Sequence, residues 1–224
     1  MKKILISVGL TFFAFAASAQ RLKTVKLDSL VSVSLPADFH KTDTLGQQTY
    51  TASAQYGYII VARSPNPPGN QTLKKEMDLD KVFKEYIRKV QGSLPNGNII
   101  NDHDTIINNV ELRDFILRTD TGSGVQLRKF RILYTKPVTY TFQYLYDLIR
   151  KEVAKKERDD FFKSIIISPG LSGADQYALY GKPARINTLA IVCIAAGVII
   201  IVLVILLLRK RRRNDILIDD VLEE

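Results

Sequence analysis

Residues 138–149 read VTYTFQYLYDLI, and aromatic and polar side chains alternate along them. The aromatic positions are Tyr140, Phe142, Tyr144 and Tyr146, and the polar positions between them are Thr139, Thr141 and Gln143. Successive side chains of a strand point to opposite faces, so the aromatic rings share one face and the polar groups the other. Aromatic residues at this spacing are typical of a packed sheet surface. The segment therefore predicts the last strand of an antiparallel meander.

Working outward from this strand, three earlier segments complete the predicted meander: residues 99–107, 110–119 and 125–135. Asn108-Asn109 and the stretch Asp120–Gly124 supply turn residues between them. Two hairpins precede the meander, formed by residues 23–27 with 30–35 and by residues 49–54 with 58–63, and a polar stretch through Gln48 connects them. The sequence thus predicts a sheet built mainly from sequential antiparallel strands.

Two helices are predicted by apolar residues at three- and four-residue spacing. The first covers residues 79–90, and Asp78 or Asp80 is its predicted N-cap. The second covers residues 153–164. Residues 168–187 are polar and contain glycine and two prolines, which predicts a flexible tether after a folded domain at 20–167.

The order of these elements, with VSVSLPADF at residues 31–39 and DDFFKSIIIS at residues 159–168, resembles the PsbP-like fold. The resemblance covers residues 25–168. It implies an α+β class in which an antiparallel sheet is flanked by helices, an α/β/α sandwich seen in photosystem extrinsic subunits and in a Ran-binding nuclear import factor. Domains of that shape resemble binding or assembly modules more than enzymes, which is analogy from fold alone.

The N-terminus has the layout of a secretory signal peptide. A basic start at Lys2 and Lys3 is followed by an apolar run from residue 4 to residue 17, and small residues lie at Ala17 and Ala19. We expect residues 1–19 to be removed and the mature chain to begin at Gln20. An uncleaved N-terminal anchor is the alternative.

The second apolar segment, residues 188–208, predicts a single transmembrane helix. From Leu189 to Leu208 there are no charges and no proline, and a helix of that length matches the hydrocarbon thickness of a bilayer. The cations that follow predict a stop-transfer signal on the cytoplasmic side; they are Arg209, Lys210, Arg211, Arg212 and Arg213. We therefore expect a protein of the bacterial inner membrane with a periplasmic domain and a cytoplasmic tail, residues 209–224.

Charge is distributed unevenly between these parts. The chain carries a formal net charge of +9. With the signal peptide and the balanced tail removed, the remainder keeps 25 of the 32 Lys and Arg and 18 of the 23 Asp and Glu, an excess of +7. An exported domain meets little nucleic acid, so we expect no nucleic-acid partner. Anionic lipid headgroups, envelope polysaccharides or an acidic protein are the expected counterparts, and a solvated surface is the alternative.

Candidate catalytic and metal-binding residues are few. The sole cysteine, Cys193, lies in the predicted span, which excludes thiol chemistry from the outer domain. In Asp102-His103-Asp104, alternation along a strand sends both carboxylates to the face opposite the imidazole, which argues against a metal site. Asp120-Thr121-Gly122 matches the tripeptide of aspartic proteases but lacks a second copy, so a hairpin turn is the better interpretation. We expect no cofactor and no metal.

Basic clusters are the remaining signal. They lie at residues 74–75, 81–89, 128–131 and 150–158. In the third cluster, Lys129 and Arg131 alternate with Arg128 and Phe130, so cations occupy both faces of a strand, and one face could contribute to a basic surface.

The preferred hypothesis is a non-enzymatic, membrane-tethered binding or assembly module of the bacterial cell envelope, with the bilayer and a protein in the envelope as partners. One alternative is an envelope enzyme with a carboxylate-based site, for which Glu111 and Asp114 are candidates by position. Another is a ligand-sensing subunit that signals through a cytoplasmic partner. Cys193 and Gly197, four residues apart, predict a weak homodimer through the span.

Overall fold

The computed structural model of the protein describes residues 22–67, 73–94 and 96–181. In this part of the chain there are ten strands and two α-helices. The strands are β1 (Leu22–Lys26), β2 (Val31–Pro36), β3 (His40–Thr44), β4 (Gln47–Ser53), β5 (Tyr58–Pro65), β6 (Asn98–Ile107), β7 (Val110–Asp120), β8 (Val125–Tyr134), β9 (Val138–Asp147) and β10 (Ile166–Ile167). The helices are α1 (Glu76–Gly92) and α2 (Lys151–Lys163), and short 3₁₀ turns cover Leu148–Arg150 and Gly173–Asp175.

The strands form two antiparallel sheets. The larger has the order β3-β4-β5-β9-β8-β7-β6, and the smaller has the order β1-β2-β10. The predicted last strand, β9, lies in the middle of the larger sheet, where Tyr144 is opposite Ile59 of β5 on one side and Lys129 of β8 on the other. The meander predicted from the sequence is thus confirmed, and β9 also joins it to the β4–β5 hairpin.

Layers on both faces of the larger sheet complete the domain. On one face, here the α2 face, the rings of Tyr140, Phe142, Tyr144 and Tyr146 are buried together with residues of α2 and of the smaller sheet. On the opposite face, the α1 face, Leu79, Phe83 and Ile87 of α1 pack against Phe115, Leu117, Phe130 and Ile132. Each layer buries the apolar side of an amphipathic element against the sheet. The predicted α+β class, a sheet with helices on both faces, is confirmed.

Turn residues set the hairpins of the meander. Asn108 and Asn109, with φ of 51° and 61°, link β6 to β7 in the left-handed region that a two-residue hairpin turn requires. Asp120–Gly124 links β7 to β8, and the Asp120 carboxylate accepts the Gly122 N–H at 2.9 Å. The Asp-Thr-Gly tripeptide is therefore part of a turn, as predicted.

The start of α1 differs from the prediction. The N-cap is Lys75, and Asp78 lies one turn further on, where its carboxylate accepts the backbone N–H groups of Lys74 and Lys75 at 3.2 Å. A carboxylate in the first turn stabilises a helix by satisfying free N–H groups and by its charge near the positive end of the helix dipole. Asp78 was therefore a correct start signal assigned to the wrong position.

Strand β3 was not predicted. Every side chain of His40–Thr44 is exposed, so the segment shows no apolar alternation. It pairs with β4 through a two-residue turn at Leu45 and Gly46, whose φ angles are 52° and 79°. Backbone pairing and the turn, neither of which needs a buried side chain, define this edge strand.

Residues 168–181, which we predicted to be the first part of a flexible tether, pack onto the domain instead. Leu171, Gln176 and Tyr177 are buried, and the Gln176 side chain binds the backbone of Glu111 and Tyr134 at 2.7 to 3.0 Å. The compact unit ends at Gly181. The tether prediction is wrong for this stretch because contacts with the distant β7 and β8 hold it, and residues 182–187 lie outside the described part.

No helix in the described part of the chain is long and apolar enough to span a bilayer. The predicted signal peptide, the span with Leu189, Cys193, Gly197 and Leu208, and the stop-transfer residues 209–213 lie outside that part.

Candidate functional site

A cavity of about 370 Å³ opens on the α2 face of the sheet, beside the N-terminal half of α2. Strands β6, β7 and β8 form its floor, and the end of β9 and helix α2 form its wall. Its ionisable lining residues are His103, Asp114, Arg118, Lys129, Tyr146, Lys151 and Arg158. We call this site the cationic cavity. Its volume lies in the range of small-molecule sites.

Lys129 lies at the centre of the floor. Strand register places it between Ile116 of β7 and Tyr144 of β9, and its ammonium lies 4.7 Å from the ring centroid of Phe162. Burial lowers the pKa of this ammonium, and the nearby Asp114 carboxylate opposes the shift. Among the described residues, no carboxylate or other hydrogen-bond acceptor contacts the Lys129 ammonium. A half-buried ammonium whose direct contact is an aromatic face, with no hydrogen-bond acceptor, is available to an anionic ligand.

Arg158 forms the opposite wall and is held in place. Its Nη1 donates to the Tyr146 hydroxyl at 2.9 Å, and its Nε and Nη2 donate to Asp159 Oδ1 at 3.1 Å. The guanidinium also lies 5.3 Å from the centroid of the Tyr146 ring. Only 12% of the side chain is exposed. Such a fixed guanidinium loses little conformational entropy when it binds a second anion.

The Asp114 carboxylate in the cavity is already neutralised. Arg131, directly opposite on β8, donates from Nε and Nη2 to its two oxygens at 2.8 and 2.7 Å. The Asp114 side chain is 3% exposed and that of Arg131 is 12% exposed. This buried bidentate pair occupies both oxygens of Asp114, so Asp114 influences Lys129 only through space and makes no direct contact with its ammonium. In and beneath the cavity, positive charges therefore outnumber the carboxylates Asp114 and Asp159. The cationic side chains are Arg118, Lys129, Arg131, Lys151 and Arg158.

The Asp102-His103-Asp104 run separates as alternation predicted. His103 lines the cationic cavity, and its Nδ1 lies 2.9 Å from the carbonyl oxygen of Asn101. Asp102 and Asp104 point to the α1 face, where Arg113 donates to both at 2.5 to 2.7 Å. A β-bulge between Ile100 and His103 locally shifts the register. Within the described ranges, no three His, Cys, Asp or Glu side chains are placed to hold a metal ion.

The two carboxylates considered for an enzymatic site do not meet. Glu111 and Asp114 lie on opposite faces of β7, because an odd number of positions separates them along a regular strand. Glu111 accepts the Tyr177 hydroxyl at 2.9 Å on the α1 face, and burial raises its pKa. Asp114 is bound to Arg131 on the α2 face. This pair therefore cannot act together on one substrate.

The cationic cavity combines residues from two basic clusters that lie far apart in the sequence. Lys129 belongs to the basic cluster on β8, and Arg158 and Lys151 belong to the cluster on α2. Both clusters were identified as basic, but nothing in the sequence shows that they face each other across one cavity. Tyr146 was predicted as part of a packed sheet surface, and Phe162 lies within the second predicted helix. Their additional role, presenting rings to Arg158 and Lys129, depends on the packing of α2 on β9.

The fold and the site together define an α+β sandwich domain that carries a cationic cavity on one sheet face. No family model and no curated protein matches the chain. Among solved structures, it is similar to cyanobacterial PsbP (CyanoP) from Synechocystis sp. PCC 6803, with 15% identity, a TM-score of 0.51, and coverage of 68% of this chain and 95% of that one. The resemblance to the PsbP-like fold is thereby confirmed, at the level of fold alone.

Two further solved structures align over a similar share of the chain. One is PA94 from Pseudomonas aeruginosa, described as a protein of unknown function and putative regulator, with 8% identity, a TM-score of 0.44, and coverage of 66% of this chain and 99% of that one. The other is LpqN, described as involved in cell envelope biogenesis of Mycobacterium tuberculosis, with 10% identity, a TM-score of 0.41, and coverage of 66% and 91%.

Proposed function

We propose that this chain is a non-enzymatic binding module of the bacterial cell envelope, tethered to the inner membrane with its folded domain on the periplasmic side. The cationic cavity is its binding site, and the bound group of the ligand or partner is anionic. The signal peptide, the apolar span and the stop-transfer cations of the sequence support the location. The PsbP-like architecture is compatible with a binding module but does not select one.

The observation that carries this function is the state of Lys129. A cation that is half-buried without a counter-ion is held at an energetic cost, because burial disfavours its charged form. Perturbed cations of this kind occur disproportionately in functional sites. An anion entering the cavity would meet the ammonium of Lys129 and the fixed guanidinium of Arg158 at once, in a setting less screened than the open surface.

A hydrogen bond to a charged group contributes about 1.5–3 kcal/mol. Removing the Lys129 charge should therefore weaken binding of an anion by about 10- to 100-fold. Lys155 of α2 is exposed and does not line the cavity, so removing its charge should leave binding unchanged.

The experiment is an isothermal titration of the full-length protein in a non-ionic detergent, at low ionic strength, with inorganic pyrophosphate as the anionic probe. The wild type and the control Lys155→Gln should bind one equivalent, and Lys129→Gln should bind at least 10-fold more weakly. Absence of binding to the wild type, or an equal loss in both variants, would contradict the proposed site.

A further inference from the structure

An exposed apolar tip lies at the junction of β9 and α2. We define the tip as residues 148–153, LIRKEV. The exposed fractions are 93% for Ile149, 55% for Val153 and 39% for Leu148. Three large apolar side chains exposed within six residues contrast with the rest of this helix, whose apolar residues Ala154, Phe161 and Phe162 are buried. Clustered exposure of this kind marks a surface that another phase or molecule covers.

The tip is continuous with the cationic cavity. Leu148 and Lys151 belong to the cavity lining, alongside Lys129 and Arg158. Arg150 is half-exposed and makes only a loose contact of 3.9 Å with Asp147. In a bilayer surface the acyl boundary lies beneath a layer of phosphates. The tip has the matching order, because its apolar side chains project furthest outward and cations without close counter-ions lie nearer the domain.

A second exposed apolar residue shows that exposure alone does not produce this arrangement. Leu45, in the β3–β4 turn, is 100% exposed. The charged side chains of its hairpin, Lys41 and Asp43, balance each other, and Leu45 is not part of the lining of the cationic cavity. Leu45 therefore lacks the excess of cations that would retain an anionic surface, and it serves as a matched control.

The length of chain between the domain and the predicted span also favours a bilayer. The packed unit ends at Gly181, so residues 182–187 precede the predicted span, residues 188–208. Six residues reach at most about 22 Å when fully extended. The predicted span would therefore keep a bilayer surface within this distance of the end of the packed unit, whereas a soluble acidic partner must first be encountered.

We propose that the tip rests in the interface of an anionic phospholipid bilayer and that the cationic cavity holds a lipid phosphate. This inference rests on the proposed function, whose anionic ligand it identifies as the headgroup of the surrounding membrane. Ile149 and Val153 contact the acyl boundary, and Arg150 and Lys151 contact headgroups. Each of these two cations shifts the docked-to-undocked ratio by about fivefold.

The test measures the depth of the tip in the bilayer. In full-length protein carrying Cys193→Ser, which removes the sole native cysteine, a fluorophore is attached at Ile149→Cys or, as the control, at Leu45→Cys. Both variants are reconstituted in nanodiscs containing brominated lipids, with or without phosphatidylglycerol. Both positions are exposed, so the label should not disturb folding.

We expect bromine quenching at position 149 at least fivefold stronger than at position 45, and only with phosphatidylglycerol. Replacing both Arg150 and Lys151 by glutamine should lower the ratio of docked to undocked protein about 25-fold, because each charge contributes about fivefold. The quenching at position 149 should fall accordingly. Equal quenching at both positions, or quenching that is independent of the anionic lipid, overturns the inference.

The two proposals fail in different ways. If pyrophosphate binds through Lys129 but the label at position 149 remains unquenched, the cavity is an anion site and the bilayer is not its ligand; an acidic protein or polysaccharide then takes that place. If the label is quenched but pyrophosphate does not bind, the tip docks without the cavity, and the phosphate-binding half of the inference is overturned together with the proposed site.

Discussion

Replacing Asp114 by asparagine should destabilise the domain strongly. The Asp114 carboxylate receives two hydrogen bonds from Arg131 across the β7–β8 ladder. Asparagine has nearly the same shape but no charge, and its amide group cannot accept from both guanidinium nitrogens. The Arg131 guanidinium, only 12% exposed, would then lie without a counter-charge close to Lys129.

Burial decides the size of the effect. An exposed cross-strand pair contributes about 0.2–1 kcal/mol. Breaking a buried ion pair by removing one partner costs about 3–5 kcal/mol, because an uncompensated charge remains in the interior. The open cavity lets some water reach Arg131, which favours the lower limit, so we expect a loss of about 3 kcal/mol. For a chain of this size, that corresponds to a fall in Tm of about 6–12 °C.

Urea unfolding of the full-length protein in detergent, followed by circular dichroism, measures this loss. Asp160→Asn is the matched control, because Asp160 also pairs with a cation, at 2.7 Å from Lys156, but both groups are exposed. That variant should unfold at the wild-type urea concentration. The double variant Asp114→Ala with Arg131→Met should be more stable than Asp114→Ala alone, since no buried charge is left unpaired.

Unfolding of Asp114→Asn and Asp160→Asn at the same urea concentration would refute the role of burial in this ion pair. A double variant less stable than Asp114→Ala would refute the role of the unpaired charge, because the cost would then arise from lost packing.

Gly57→Ala should cost about 1–3 kcal/mol in urea unfolding, because a Cβ there would lie 2.3 Å from the Leu145 carbonyl oxygen; Gly92→Ala, with nothing within 4 Å, should leave stability unchanged, and equal values for the two would contradict this. Gln176→Ala should cost about 2 kcal/mol and increase hydrogen exchange over residues 173–177, because it leaves buried backbone groups without partners; unchanged exchange would restore the tether interpretation. Burial and the Glu157 carboxylate raise the pKa of Tyr144 well above the value of about 10 for an unfolded chain. The free energy of unfolding should therefore fall as pH rises above about 10, and it should fall less steeply in Tyr144→Phe. A pH profile of the variant that is identical to the wild type would exclude this cause.

Much of the sheet was predictable because its order is sequential and its faces are chemically distinct. In β9 the aromatic side chains are all buried on the α2 face, and α1 follows the spacing of its apolar residues. Strand β3 could not be found in this way, since none of its side chains is buried and its pairing depends on the backbone and the Leu45-Gly46 turn.

The segment 168–181 was missed for a different reason. Glycine and proline, common in linkers, here allow a tight path over the sheet: a Cβ at Gly173 would lie 2.1 Å from the ring of Tyr180. The Gln176 side chain stabilises this path by hydrogen bonds to the backbone of Tyr134 and Glu111, which lie 42 and 65 positions earlier in the sequence. Such long-range partners leave no periodic signal in the sequence.

The candidate site was predictable in part. The basic character of β8 and of residues 150–158 is visible in the sequence, and the alternation of Lys129 with Arg128 correctly places them on opposite faces. The sequence did not reveal the ion pair between Asp114 and Arg131, which occupies the carboxylate in the cavity lining. Only the strand register shows that Lys129 is left without a counter-ion.

Lysine-resolved NMR tests most directly whether Lys129 in the cationic cavity binds an anion. Reductive ¹³C-methylation of the full-length protein in non-ionic detergent gives a resonance for each accessible lysine and preserves its charge. The resonance that disappears in Lys129→Gln should titrate at lower pH than those of exposed lysines, because burial lowers its pKa. On addition of inorganic pyrophosphate it should shift further than any other resonance and saturate. A shift of all lysine resonances together without saturation would contradict binding at Lys129, because the interaction would then be general charge screening.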